Sequence, residues 1–197
     1  INFTSFLGSI LYFRNNWKYK FNISETHENK FNEKERIPFM HKFGKFEYFE
    51  NEKFQFVNIP QNNERYIFSI CLSRNKFLLP SYEELYYMTN NSILRDVDLY
   101  IPKMKINSKH YFDQILKTLN LNDIFIKNYN FISPLFVISS IIQKTIIKID
   151  EKGADNKNEV LKSSNNHITF RANKTFVYQL WDKKNKCILL CGIFSNT

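Results

Sequence analysis

A chain of 197 residues, 43% of them hydrophobic and 24% charged, has the make-up of a globular protein with one sizeable core and, on length alone, a single domain. The net charge of +9 admits a polyanionic partner such as heparin, but the basic residues alternate with acids ("NEKERIP", "DKKNKC") and form no block. No apolar run reaches the roughly 18 residues that suggest a membrane span, and Cys71, Cys187 and Cys191 are an odd count that makes no disulfide framework. Aromatics stand at 17% and Asn at about one residue in eight, far above ordinary usage. Phe, Tyr, Ile, Asn and Lys all come from A/T-rich codons, so part of this bias belongs to the genome.

The chain opens on Ile1 and reads as a strand almost at once, over residues 3–13, ending at "RNNW". A start without Met is expected of a processed product or a fragment. Residues 37–59 contain short β segments, "FGKFEYFE" and "FQFVNIP", and Asn62 and Asn63 begin a turn that leads into the buried strand "RYIFSICLS". Ser81 followed by Glu84 has the spacing of a capping box and predicts a helix start. "SILRDVDLYIPKMKIN" is a long extended run, with Pro102 placed as at an edge or bulge. Ser108 is set to cap a helix carrying Phe112, Ile115, Leu116 and Leu119 at helical spacing. Residues 138–149 are apolar at nearly every position, the pattern of a strand covered on both faces. "TFVYQLW" and "CILLCGIF" flank "DKKNK" and predict a hairpin with a five-residue turn. Cys187 and Cys191, four apart in that last strand, are expected on one face as buried free thiols.

The fold class is therefore α+β, dominated by antiparallel strands with a few helices. No G-x-S-x-G, Gly-rich phosphate loop or H-E-x-x-H occurs, and His27, His41, His110 and His167 are scattered. We expect no enzyme, no cofactor and no bound metal. Four N-x-S/T sequons, at Asn2, Asn22, Asn90 and Asn173, suit a secreted chain, although so Asn-rich a sequence produces several by chance.

The segment from Phe170 through Ala172, Asn173, Lys174, Thr175 and Phe176 to Leu180 closely resembles the serpin signature, with Thr175 where Pro is usual. "SILYFRNNW", "FGKFEYF", "VDLYIPKMKI", "LKTLNLNDIF", "ISSIIQKTIIKIDEKG" and "ILLCGIFSNT" resemble further serpin segments, in the family's order. The likeness covers the whole chain but only the C-terminal half of a serpin, so the resemblance implies a truncated serpin-like fold lacking the N-terminal helical half. It also implies an extracellular inhibitor of serine proteases: an exposed loop is cleaved as bait, then inserts as a strand into the central sheet and drags the acylated protease with it.

On this resemblance residues 138–150 are the central-sheet strand, 151–169 the hinge and reactive loop, and 170–197 the C-terminal strands. Glu151, Lys152, Gly153 and Ala154 fall at the hinge. Ser9, Trp17, Lys103 and Gln143 fall where the sheet opens, with Ser9 in place of the usual Asn and Gln143 in place of the usual His. The loop is short, so the scissile bond falls at Ser164–Asn165 counted back from Phe176, with Asn166 next, or at His167–Ile168 counted from the hinge. An inserted strand turns alternate residues inward: Ala154 and Val160 suit this, but Asn156 and Asn158 would each cost about 1–3 kcal/mol if buried without partners, and Lys162 would have to snorkel. The expectation is weakened trapping, or a serpin fold serving as a binding or carrier module.

Overall fold

The computed structural model describes residues 5–126, 129, 132, 136–154 and 167–195. In chain order, β1 (Ser5–Arg14) is followed by a single 3-10 turn (Ile23–Glu25), β2 (His27–Phe31), β3 (Glu35–Glu50), β4 (Phe54–Pro60) and β5 (Tyr66–Ser73). Next come α1 (Tyr82–Asn91), β6 (Ile93–Pro102), β7 (Met104–Tyr111), α2 (Asp113–Thr118) and α3 (Asp123–Ile126). The chain ends with β8 (Ile138–Ile149), β9 (Ile168–Arg171), β10 (Phe176–Asp182) and β11 (Cys187–Phe194). Two compact units result, one formed by Ile1–Arg14 with Met104–Ile149, the other by Asn15–Lys103 with Asp150–Thr197.

The first unit holds a three-stranded sheet in the order β1-β8-β7. β8 is parallel to β1 and antiparallel to β7. Its covering is thinner than its apolar sequence predicts. Thr145, Ile147 and Ile149 are buried, while Lys144 and Lys148 are exposed and Ile146 is half-buried, so the second half of the strand alternates as a one-sided strand does. Ser108 corrects the expected helix cap. It lies inside β7 opposite Thr145, and the ladder runs on to Tyr111 opposite Ile142. Strand pairing outcompetes local helix propensity here, and α2 starts only at Asp113, whose carboxylate accepts hydrogen bonds from the Ile141 amide (2.7 Å) and the Ser140 hydroxyl (2.9 Å).

The second unit is built on an eight-stranded sheet in the order β11-β10-β5-β4-β3-β6-β9, with β2 also on β3. All its pairings are antiparallel except β6 with β9. β5 and β10 are buried along almost their whole length. Phe54, Phe56, Cys71 and Val177 pack with Leu85 and Met88, which α1 presents at i, i+3 spacing. The capping box at the head of α1 forms as expected: Glu84 N donates to Ser81 Oγ (3.2 Å), and Ser81 N donates to the Glu84 carboxylate (2.9 Å). The long extended run breaks into β6 and β7 at Lys103, whose amide donates to the Pro38 carbonyl (2.8 Å). Pro102 ends β6 beyond the reach of β9, where a missing N–H costs no ladder bond.

Two details of the final hairpin differ from expectation. Asp182 joins the ladder opposite Cys187, so the turn shortens to residues 183–186. Its buried carboxylate takes two hydrogen bonds from Arg65 (2.6 and 3.0 Å) and another from the Lys184 amide, and the Arg65 hydrogen bonds hold its pKa down at about 2. The ladder also shifts by one residue between Leu180 and Trp181, pairing Leu180 with Leu190 but Trp181 with Ile188. That bulge sets Cys187 and Cys191 opposite Asp182 and Gln179, three residues apart and so on opposite faces. Only Cys71 is a buried thiol; Cys187 is half-buried and Cys191 exposed.

Candidate functional site

After β8 the chain does not run straight into an open loop. Residues 150–154 are held against residues 15–17 by a dense set of hydrogen bonds, most of them involving the Asn15 and Trp17 side chains. Asn15 Nδ2 donates to the carbonyls of Asp150 and Lys152 (both 2.8 Å), and Asp150 N donates to Asn15 Oδ1 (2.7 Å). The Trp17 indole N–H donates to the Asp150 carbonyl (2.8 Å), Trp17 N to the Lys152 carbonyl (3.1 Å) and Ala154 N to the Trp17 carbonyl (2.8 Å). Trp17 is fully buried, with Phe21 and Phe68 edge-on to its ring at 5.8 and 5.9 Å. It therefore acts as a fixed post to which residues 150–154 are tied.

Gly153 is required by close approach and not by its φ. A Cβ there would lie 2.6 Å from the Trp17 carbonyl oxygen, 2.8 Å from Trp17 Cβ and 2.9 Å from Lys20 Cα. Glu151, buried despite its charge, accepts from Lys103 Nζ (3.0 Å) and Thr26 Oγ1 (2.9 Å), while its carbonyl accepts from Phe21 N (3.1 Å). Burial alone would raise the Glu151 carboxyl, but the hydrogen bonds from Lys103 and Thr26 bring it below its ordinary value.

The four residues expected where the sheet opens fall into two pairs. Ser9 and Gln143 stand directly opposite each other on β1 and β8, with His110 opposite Gln143 on the far side. Trp17 contacts Lys152 and Ala154, and Lys103 contacts Glu151, residues expected at the hinge. Of the candidate scissile residues, Ser164, Asn165 and Asn166 lie outside the described residues. His167 meets the Phe43 ring edge-on at 5.7 Å, and Ile168 opens β9, paired in parallel with Val97. The sequence reading missed Asn15 and Thr26, because one more Asn beside Asn16 in so Asn-rich a chain gives no signal.

The family model described as serpin (serine protease inhibitor) matches residues 3–197. The chain belongs to the serpin family. Among its serpin relatives, an uncharacterised serpin-like protein of Acanthamoeba polyphaga mimivirus is 30% identical over 161 residues, 74% of this chain and 40% of that protein. Antitrypsin of Bombyx mori is 28% identical over 215 residues, 96% of this chain and 54% of that protein. The crystal structure of maspin superposes with a TM-score of 0.85 at 22% identity, covering 96% of this chain and 57% of maspin. This serpin chain thus spans about half the length of the relatives it matches.

Its charge is unevenly spread. Residues 1–14 and 104–149 hold seven of the 28 Lys and Arg but two of the 19 Asp and Glu, so five of the nine net positive charges fall in the smaller unit. The register concentrates them further. Lys105 stands opposite Lys148 and Lys109 opposite Lys144, all four exposed, and Arg14 stands opposite Lys148 on the other side. Like charges directly opposite one another repel. No cluster of His, Cys, Asp or Glu able to hold a metal occurs among the described residues, and no helix among them is long and apolar enough to cross a membrane.

Proposed function

We propose that this serpin chain carries the reactive-loop machinery of a secreted serine-endopeptidase inhibitor, weakened in its ability to trap. One observation carries the reading: β8 is parallel to β1 over residues 5–14, and a glycine hinge follows the C-terminal end of β8. A chain that reverses at Gly153 runs antiparallel to β8, and therefore antiparallel to β1 as well. Entry between them exchanges one parallel ladder for two antiparallel ones, the slightly more stable pairing per residue. That gain is the drive that trapping requires.

Three features oppose it. The β1–β8 ladder is closed and must open first. The ties among Asn15, Trp17 and residues 150–154 hold the hinge in place. Asn156, Asn158 and Lys162 would each bring a polar group inward. We place the scissile bond at Ser164–Asn165, because Ile168 is already committed to its ladder with Val97, whereas a protease needs freely extended chain on both sides of the bond. The alternative is a binding or carrier module without trapping.

The test is incubation of the full-length protein with a panel of serine proteases. The expected result is a loop-cleaved product, a minor SDS-stable covalent complex and a higher melting temperature after cleavage. Cleavage that yields neither complex nor stabilisation would establish the non-inhibitory alternative. A second reading, favoured by the opposed lysines on β7 and β8, is that this face binds a sulfated polyanion such as heparin.

A further inference from the structure

A cleft of about 540 Å³ opens among β3, β4, β5 and β6, together with residues 18–19, the turn after β4 and the turn after β10, a size typical of small-molecule sites. Lys18, Lys42, Lys45 and Lys183 line it, with Glu47 and Glu64. Both carboxylates are engaged: Glu64 with Lys18 at 2.6 Å, and Glu47 with Asn58 Nδ2 at 3.2 Å. Lys45 is likewise paired, with Asp96 at 2.9 Å. Lys42 and Lys183 differ, since neither makes an ion pair among the described residues. The Lys42 ammonium donates to the Lys20 carbonyl, a neutral acceptor, at 3.0 Å. Burial pushes this amine below its ordinary value, offset in part by the more distant Glu25, so an incoming negative charge would relieve an existing cost. Phe43, Ile67 and Leu94 supply apolar wall.

We propose that this cleft binds a small organic anion, a carboxylate, sulfate or phosphate ester on an aromatic or aliphatic body. Lys42 and Lys183 take the charge, and Phe43, Ile67 and Leu94 take the body. Convergent polar groups in an apolar concavity are the usual make-up of such a site. A long polyanion does not suit it, because its further charges would meet Glu47 and Glu64. The site borders the segment that holds residues 150–154, since Lys18 follows Trp17 and Lys42 bonds the Lys20 carbonyl, but binding there does not depend on protease trapping.

The test is equilibrium titration of the full-length protein with 1-naphthyl phosphate, alongside 1-naphthol and inorganic phosphate. Lys42→Met and Lys183→Met keep the aliphatic stems and remove the charges; Lys76→Met, at an exposed position outside the cleft, is the control. Saturable binding is expected, at least tenfold weaker in Lys42→Met and at least threefold weaker in Lys183→Met, and unchanged in Lys76→Met. Naphthol and phosphate are each expected to bind at least tenfold more weakly than the ester. Absence of saturable binding, full affinity in either cleft variant, or equal affinity for naphthol would overturn the proposal. Lys183 lies in an exposed turn, so its variant decides the matter even if Lys42→Met fails to fold.

Discussion

A methyl group at residue 153 would sit within 3 Å of backbone on two sides, at the Trp17 carbonyl and at Lys20 Cα. Neither atom belongs to a flexible side chain that could swing away. Gly153→Ala is therefore expected to destabilise the protein by about 1–3 kcal/mol, the usual cost of overpacking, read as a lower midpoint in urea. Gly44→Ala is the counterpart. A Cβ there meets only the Phe46 ring, at 3.5 Å, and removing a glycine from a strand interior gains up to about 1 kcal/mol. The two substitutions should thus move the midpoint in opposite directions. If Gly153→Ala left it unchanged, residues 150–154 would be loose and the ties to Trp17 would not hold them. The glycine itself was legible through the resemblance of "ISSIIQKTIIKIDEKG" to a serpin segment. Asn15, which makes half of the ties, was not, because a buried amide that bonds backbone leaves no periodic trace in sequence.

Strands whose partners lie far away in the chain are where sequence patterns are least reliable, and β7 shows why. Ser108, Phe112, Ile115 and Leu119 fit a helix by spacing, yet the chain through Tyr111 is committed to β8, more than thirty residues on. Local propensity cannot register a partner at that distance. The helix itself still forms, as α2, but starts only at Asp113, and Ile115 and Leu119 are 48% and 62% exposed. The capping box at Ser81 and Glu84 was legible because both halves of the signal lie within one turn. The bulge in β11, which separates Cys187 from Cys191, was not, since it depends on the register against β10. These cases make a paired prediction. Ser81→Ala should cost about 1 kcal/mol, as loss of a cap does, while Ser108→Ala should change stability by less than about 0.5 kcal/mol, because its half-buried hydroxyl makes no side-chain hydrogen bond among the described residues. Equal losses would mean that Ser108 does more than fill a strand position.

Over the whole molecule, the net charge looked diffuse because sequence order interleaves lysines with acids. In the larger unit that impression holds: Lys18, Lys45, Lys53, Arg65 and Arg74 each meet a carboxylate. In the smaller unit the segments are already poor in acids, and strand register brings their cations together. β1, β7 and β8 contain no acidic residue at all, and lysines four apart along a strand stand about 13 Å from each other, in two rows a single ladder step apart. A sulfated polymer laid along β8 would meet both rows and displace counterions from four or five contacts. Its affinity should then fall about a hundredfold between 50 and 200 mM salt. Charge reversal at Lys105 and Lys144 should weaken heparin binding more than tenfold, whereas reversal at Lys45 and Lys53, already paired with Asp96 and Glu84, should change it little. Misfolding cannot account for that contrast. Each reversal on the sheet places a Glu opposite a Lys where two cations now repel, which should stabilise the sheet by roughly 0.2–1 kcal/mol. A variant that melts higher and binds heparin less is the expected signature, and a salt-independent affinity would remove the polyanion reading.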